Sequence, residues 1–411
     1  MELGNLRISA RIVASAIAAA LGMAAEMATT RSHADPLAAG VAVVPISLQG
    51  EEPASVGSDD AALVYGQAAR LLERADAAGI CSPASSNLVY PSYPPYGDAW
   101  MKMEQADYQA GADVRKLVRQ ASGMKHAAWA SLNPQNGGRR WQYLNGCRNI
   151  ANEIGDAALY QSVVLHDEQG AFDSIGDVMH LGDLLQNEPG VVLVRFLVSE
   201  GIQALAMSRL TVMISNVTIS ADSTETTAVP VPMAQAWIGR LLDHPDAQAQ
   251  LDRALKGEPG GVAANPVMKP SLARALETAR RVLCERDLTA MSLAAHVFQF
   301  KHGRWPGSLD DLKTEMPRLP LDPWGDGKQT LGYVLIKGAL RGGADRPLVY
   351  SRCGANDGLF YRTDAPQYSY YNSDGSQVPQ NMQKHGGQFR DVVRWAPVEG
   401  QTHQPTTMPV P

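Results

Sequence analysis

KHGRWPGSLDDLKTEMPRLPLD, residues 301–322, followed by Pro323-Trp324-Gly325, is the stretch from which the rest of the chain can be interpreted. Gly303 is a natural end for a helix, because glycine adopts positive φ without steric cost. Pro306 fixes the turn that follows. Ser308 can then cap a short helix, before two further prolines impose an extended path that ends in a turn.

The segments on either side of this stretch define its setting. An apolar repeat of 3.6 residues runs from a cap at Ser271 to Phe300 and predicts one long helix. Three strand patterns follow, at 331–336, 347–351 and 389–395, the last of them as an edge strand. The sequence therefore predicts a long helix followed by a few strands, and we expect Leu283, Leu293, Val297 and Trp324 to be buried.

This order resembles the globular head of the type II secretion major pseudopilins. In that family a long helix ends in G-x-[YW]-P-x-[ST]-L-x-x-L, which here is Gly303 to Leu312, and a D-P-[WF]-G turn follows, here Asp322 to Gly325. The resemblance implies a pseudopilin-like α+β domain over 271–396, in which the long helix packs on a small antiparallel sheet, and a place outside the cytoplasm. The prepilin-peptidase signature is absent, since Asn5 follows Gly4 and Ser9 stands where the family has Glu. The chain therefore resembles a protein with a pseudopilin-like head and not a pilus subunit.

The N-terminus predicts export. Arg7 and Arg11 precede an apolar run from Ile12 to Ala25. This run is shorter than the ~20 residues of a membrane-spanning helix and fits the ~7–15-residue core of a signal peptide. We interpret 1–34 as a signal peptide or N-terminal anchor and expect an extracytoplasmic location, in the periplasm or cell envelope. An N-terminal anchor in the inner membrane is the alternative.

Between the N-terminus and the head, the patterns are mainly helical. We expect a disordered linker over 35–58, a helical domain over 59–256, and a disordered tail over 397–411. The fold class is thus α+β, with a mainly α-helical N-terminal body followed by the head. The domain boundary is placed in the Gly- and Pro-rich loop 257–270. The alternative is that the next helix packs back onto the body as one continuous unit.

Several body segments carry detailed expectations. Residues 166–186, HDEQGAFDSIGDVMHLGDLLQ, predict a helix, a Gly turn and a second helix beginning at Asp173 or Ser174. Residues 190–214 predict an apolar helix that is buried in a bundle, because Arg195, Glu200 and Arg209 would be costly in a bilayer. Residues 215–232 are interpreted as a linker or a short strand pair. Residues 235–256 predict one further helix.

Composition narrows the functional classes. The 411 residues favour two domains, and a net charge of −6 with scattered basic residues indicates no nucleic-acid surface. The cysteines at 81, 147, 284 and 353 form no CxxC motif; they could pair in three ways, or Cys284 could be a buried free thiol. No nucleophile elbow, P-loop, HExxH or dinucleotide motif is present. A non-catalytic role is therefore favoured over an enzyme.

One cation site has a chemical rationale. The pseudopilin resemblance implies Ca²⁺ ligands in the loop before the last strand, where Asn356 and Asp357 match the first part of the family pattern and Asp391 the second. The long insertion between them contains Asp374 within NSDGS, whose alternating oxygen side chains suit a hard cation. The alternative is that these residues are ordinary turn formers. Apart from this Ca²⁺, no cofactor is expected.

The functional hypothesis is an exported, non-catalytic envelope protein whose pseudopilin-like head has a structural or interaction role. The whole chain also resembles exported proteins of planctomycete-type bacteria that have no assigned activity. Two alternatives remain: an accessory protein docking on a type II secretion or pilus machine, and an extracytoplasmic enzyme with an unrecognised site. The expected partners are envelope proteins, with no nucleic acid and with membrane contact only through the N-terminal segment.

Overall fold

The computed structural model describes residues 59–77, 96–129, 142–187, 192–214, 217–258, 268–324, 327–336 and 345–352, together with the backbone of strand segments at 33–34, 86–88 and 391–395. The molecule is mostly helical with small sheets, which confirms the helical α+β class. The linker 35–58, the tail 397–411 and, apart from the backbone of 33–34, the predicted signal peptide or anchor lie outside the described residues.

The body is built from helices that share buried apolar faces. The described helices are α1 (Ala61–Ala77), α2 (Asp98–Ala110), α3 (Ala112–Ser122), α4 (Gln142–Tyr160), α5 (Glu168–Asn187), α6 (Leu193–Ile214), α7 (Val231–Leu242), α8 (Ala247–Lys256), α9 (Lys269–His302) and α10 (Leu309–Lys313). A π-helical turn, Gln161–Leu165, extends α4. Helices α4, α5 and α6 pack against one another, and α1 packs on α3 and α4.

The prediction for 166–186 was wrong about where the chain breaks. The structure has one helix from Glu168, and the break comes before it, at His166, whose φ is 52°. Asp167 caps the new helix, since its Oδ1 accepts from the Gly170 N–H at 3.0 Å. Gly170 therefore lies in the first turn of α5 and is not a turn between helices.

The prediction of one helix over 235–256 was also wrong. The chain breaks after Leu242, because Pro245 lacks the N–H that a continuing helix needs. Asp246 begins α8 as its N-cap by accepting from the Ala249 N–H at 2.9 Å. Helix α9 begins at Lys269 and not after a cap at Ser271, with Pro270 in the first turn, where proline loses no helical hydrogen bond.

The strands form small sheets. Two short parallel pairs are β1 (His33–Ala34) with β2 (Ser86–Leu88) and β3 (Ile219–Ser220) with β4 (Val229–Pro230). The main sheet is antiparallel in the order β5 (Gly332–Ile336), β6 (Arg346–Arg352) and β7 (Asp391–Trp395), so β7 lies at an edge as expected. Gly332 stands opposite Tyr350, and a Cβ there would come within 2.2 Å of that ring. Only glycine at position 332 leaves room for the ring of Tyr350.

Helix α9 joins the body to the sheet. It packs on α6, α7 and α8 on one side and on β6 and α10 on the other. One hydrophobic cluster contains residues from α1 through Val349 of β6. Leu283, Leu293 and Val297 are buried as predicted, whereas Trp324 is only partly buried against that cluster. The domain boundaries remain predictions.

Candidate functional site

The predicted calcium ligands fall mostly outside the part of the chain that the structure describes. Asn356, Asp357 and Asp374 are among the undescribed residues. Asp391 is the first residue of β7, and its Cα pairs with that of Arg352 at the end of β6. The structure therefore gives the backbone position of Asp391 alone, and the convergence of the four predicted ligands stays a prediction.

The Asp-Pro-Trp-Gly turn connects three parts of the head. The Asp322 N–H donates to the Gln329 carbonyl at 2.8 Å, while Asp322 Oδ1 accepts from the Trp324 N–H and from Ser351 Oγ, each at 3.0 Å. Asp322 and Ser351 are both buried. The Trp324 indole N–H donates to Glu277 of α9 at 3.2 Å. The turn thus holds the loop against both β6 and the long helix.

The connection from α9 to α10 has the chemistry that the sequence predicted. Gly303 is left-handed, with φ 66°, and its N–H donates to the Gln299 carbonyl. Ser308 caps α10 by accepting from the Asp311 N–H at 3.3 Å. Arg304 donates to Asp311 at 2.9 Å, and this hydrogen bond lowers the pKa of Asp311. The Tyr333 hydroxyl donates to the Pro306 carbonyl at 2.6 Å, which ties the turn to β5.

A polar ladder lies inside the body, between α5 and α6. Gln203 of α6 donates through Nε2 to the Met179 carbonyl at 3.0 Å and to Asp183 Oδ1 at 2.8 Å. One turn away on α6, Glu200 accepts through Oε1 from Gln186 of α5. Ser199 Oγ donates to the Gly182 carbonyl at 2.7 Å. Polar side chains on two helices therefore face each other in a mostly apolar interface.

Basic groups from α7 and α9 approach this ladder. Arg240 donates to the Gly176 carbonyl at 2.9 Å and lies 3.9 Å from Asp183 Oδ2. Arg286 is buried and donates through Nη2 to the Arg240 carbonyl at 3.0 Å. Beside it, His244 Nε2 lies 3.1 Å from Asp287 Oδ1, with both side chains almost fully buried. Four helices thus contribute charged groups to one region, in which Glu200, Arg286 and Asp287 are buried while the Asp183 and Arg240 side chains are 38% and 36% exposed.

Glu200 is the most buried carboxyl of this region, with 1% of its surface exposed. Burial raises its pKa to about 8, because a charged carboxylate loses hydration that one hydrogen bond from Gln186 and the nearby charge of Arg286 only partly replace. Glu200 Oε2 and Gln203 Oε1 have no hydrogen-bond partner among the described residues. At neutral pH this geometry favours a neutral carboxylic acid at Glu200.

A second buried carboxyl lies where the π-helical turn meets α5. Glu168 accepts from Ser162 Oγ at 3.0 and 3.1 Å, while Ser174 Oγ donates to Gln161 at 2.8 Å. Burial raises the pKa of Glu168 to about 7. The backbone N–H of Glu168 donates to the Thr226 carbonyl at 3.0 Å, which brings the β3–β4 loop against the start of α5. Through its carboxyl and its backbone N–H, Glu168 connects the π-helical turn, the start of α5 and the β3–β4 loop.

The sequence contained a signal for the ladder that was interpreted too narrowly. Glu200 counted as evidence against a membrane span, but a charged residue within such an apolar helix also predicts a buried polar partner. The i, i+3 spacing of Asp183 and Gln186 on one helix and of Glu200 and Gln203 on the other places each pair on one face. Which helix supplies the partner depends on tertiary packing, which this spacing does not specify.

Among the described residues, no three His, Cys, Asp or Glu side chains come together as metal ligands. In the same part of the chain, α6 is long and apolar enough to span a membrane by length and composition, and 78% of its most apolar window is buried inside the structure. Cys147 and Cys284 are buried free thiols. No family model, no curated protein and no solved structure matches the chain.

Proposed function

We propose that this protein is an exported, non-catalytic protein of the cell envelope, in which a helical body carries a pseudopilin-like head with a structural or interaction role. The observation that carries the proposal is the order of elements after α9. A 34-residue helix ends at a left-handed glycine, a capped short helix follows, and an Asp-Pro-Trp turn with a buried Asp322 leads into a three-stranded antiparallel sheet packed on the long helix.

The character of the head supports interaction over catalysis. Its polar side chains, among them Asp322, Ser351 and Asp311, are engaged in caps and turns that stabilise the loop. The sheet ends in a five-residue edge strand, β7. An edge strand offers unpaired backbone groups, to which another protein can add a strand. Docking on a type II secretion or pilus machine is a narrower form of the same proposal.

Export is tested first, by fractionating cells that express the full chain with a C-terminal tag. We expect the tagged chain outside the cytoplasm, because Arg7, Arg11 and the apolar run 12–25 form a signal-like segment. Ile17→Lys places a charge in that run and should retain the protein in the cytoplasm, whereas Ile17→Leu should not. Full-length wild-type chain in the cytosolic fraction would refute the proposal.

Calcium binding is a further part of this proposal. Asp391 stands opposite Arg352 in the β6–β7 register. Asp357 follows Arg352 by 357 − 352 = 5 residues, so even a fully extended chain places the Cα atoms of Arg352 and Asp357 at most about 18 Å apart. The register therefore allows Asp357 and Asp391 to approach each other despite the long insertion. Asn356 and Asp374 would complete the oxygen ligands, in a site of the weak extracellular class with Kd of ~10⁻⁴–10⁻³ M.

The calcium proposal is tested by thermal unfolding of the full chain with Ca²⁺, Mg²⁺ or chelator. Ca²⁺ at a hundred times Kd should stabilise the folded state by ~2.7 kcal/mol, and Asp357→Ala or Asp391→Ala should abolish that gain. Asp310→Ala, at an exposed site on α10, is the control and should respond to Ca²⁺ as the wild type does. A midpoint that chelator leaves unchanged would show these residues to be turn formers only.

A further inference from the structure

The interior ladder contains two buried oxygens whose hydrogen-bonding needs conflict. Glu200 Oε2 and Gln203 Oε1 have no partner among the described residues, and the two side chains are 1% and 2% exposed. Both side chains bind α5, Glu200 through Gln186 and Gln203 through Met179 and Asp183. They therefore lie on one face of α6, a turn apart, where Cβ atoms are ~5–6 Å from each other.

The amide of Gln203 cannot resolve the conflict by rotating. Its Nε2 donates to two acceptors, the Met179 carbonyl and Asp183 Oδ1. Exchanging nitrogen and oxygen would place an acceptor against both of them. Gln203 Oε1 is thus fixed as an acceptor that needs a donor. An ionised Glu200 offers only acceptors, whereas a protonated Glu200 offers one O–H donor.

We propose that Glu200 is a proton-binding site of the helical body, in which an O–H donated from Glu200 to Gln203 within α6 satisfies the buried face that α6 packs on α5, and loss of that proton loosens the α5–α6 interface. On deprotonation the O–H bond of the acid breaks, its electron pair stays on the carboxylate, and the proton passes to water or hydroxide. Two buried acceptors on one face of α6 are then left without a donor among the described residues, and a charge is left without hydration.

Charged groups of opposite sign surround Glu200, and their effects on its ionisation partly cancel. From α5, Asp183 opposes a charge on Glu200, and from α9, Arg286 favours it. Arg240 of α7 and His180 of α5 act on Asp183. Arg286 donates through Nη2 to the backbone carbonyls of Arg240 and Asp243 and forms no ion pair with Glu200 in the described structure. Arg286 Nε has no hydrogen-bond partner among the described residues, and its charge only partly offsets the burial that raises the pKa of Glu200 to about 8.

The test compares full-length wild type with Glu200→Gln, which keeps the shape and supplies a permanent donor to Gln203. Hydrogen exchange of α5 and α6 amides, corrected for the pH dependence of free amides, reports the opening equilibrium. A group with a folded pKa of about 8 and an ordinary value of 4.5 should raise this equilibrium on the order of a hundredfold between pH 6 and pH 8. Glu200→Gln should remove most of that rise and leave the smaller part that Glu168 contributes, whereas Glu73→Gln, on the exposed face of α1, should leave the whole rise intact.

Infrared difference spectroscopy supplies a readout that does not depend on opening. The protonated-carboxyl band lost between pH 6 and pH 10 should be smaller in Glu200→Gln than in the wild type. Gln203→Met removes the acceptor of the Glu200 O–H, so the protonated-carboxyl band should disappear at a lower pH than in the wild type. This variant keeps the proposal testable even where Glu200→Gln does not fold. An identical pH profile of exchange in wild type and Glu200→Gln, or a Glu200 carboxylate already ionised at pH 6, would overturn it.

Discussion

A single carboxyl, Asp322, fixes the turn on which the head depends. Its Oδ1 accepts hydrogen bonds from the backbone of Trp324 and from the buried hydroxyl of Ser351, which lies on β6. One side chain therefore both shapes the turn and attaches it to the sheet. Trp324 is only partly buried, so its side chain stabilises the head less than a fully buried tryptophan would. Its indole N–H donates to Glu277.

Replacing this carboxyl should be costly. Asp322→Ala removes the acceptor of two hydrogen bonds, one of them from the buried hydroxyl of Ser351, at ~1–3 kcal/mol for each buried hydrogen bond lost. We expect the free energy of unfolding to fall by about 2–4 kcal/mol in urea titrations of the full chain. Asp310→Ala, at an exposed site nearby, should cost less than ~1 kcal/mol. Equal losses in the two variants would mean that the turn does not depend on Asp322.

Substituting alanine for each of two glycines should change the stability of the fold in opposite directions. A Cβ at Gly303 or at Gly239 would meet no atom within 4 Å, so neither substitution creates a clash. Gly303 has φ 66°, where alanine is strained by ~1–2 kcal/mol, whereas Gly239 lies within α7, where alanine is better by ~0.5–1 kcal/mol. Thermal unfolding should show Gly303→Ala destabilised and Gly239→Ala stabilised. A stabilised Gly303→Ala would contradict the left-handed cap.

The junction between the π-helical turn and α5 should make stability depend on pH. The folded pKa of Glu168 is about 7, above its ordinary 4.5, so the folded state binds the proton more tightly than the unfolded state. The resulting stability is fully present below pH 4.5 and is lost as pH rises through about 7, on the order of 3 kcal/mol in total.

Urea unfolding between pH 4.5 and pH 8 should therefore show decreasing stability. Glu168→Gln should make this decrease less steep below pH 7, where Glu200 also contributes, whereas Glu73→Gln, at an exposed site on α1, should not. The decrease that belongs to Glu200 should persist in Glu168→Gln up to about pH 8. Stability that rises over this interval in the wild type would contradict a buried, raised carboxyl at the junction.

At the scale of elements, local chemistry was predictable where it is self-contained. Gly303 and Ser308 specify a cap and a short helix within a few residues of themselves, each strand pattern marks one strand, and the structure has all of these elements. The break at His166 was missed because a residue with a Cβ takes the left-handed conformation there, beside a Gly170 that stays helical. The break before α8 required weighing Pro245 and the Asp246 cap against a continuous apolar pattern.

The interior ladder was not predictable for a different reason. Its polar residues were visible in α5 and α6, but their pairing depends on the register between two helices and on the approach of α7 and α9. The raised pKa values at Glu168 and Glu200 come from burial, which is a property of the assembled bundle. A sequence pattern can identify such residues as candidates and cannot supply their environment.

At the scale of the whole molecule, α9 couples the unfolding of the body to that of the head. Its buried residues contact α6, α7 and α8 of the body as well as β6 and α10 of the head, and Leu312 of α10 belongs to the same hydrophobic cluster as the body helices. Separating the head from the body would expose one side of α9 to water. We therefore expect the described body and head to unfold together, as the alternative without a clean boundary at 257–270 requires.

A substitution confined to the head tests this coupling. Leu312→Ala removes a fully buried side chain from α10, and such truncations cost ~2–5 kcal/mol. If body and head share one cooperative transition, hydrogen exchange near the unfolding midpoint should show the amides of α6 destabilised as much as those of β6. Lys313→Ala, the exposed neighbour, should leave both unchanged within ~0.5 kcal/mol. Destabilisation of β6 with α6 unaffected would instead establish two independently folding domains joined at 257–270.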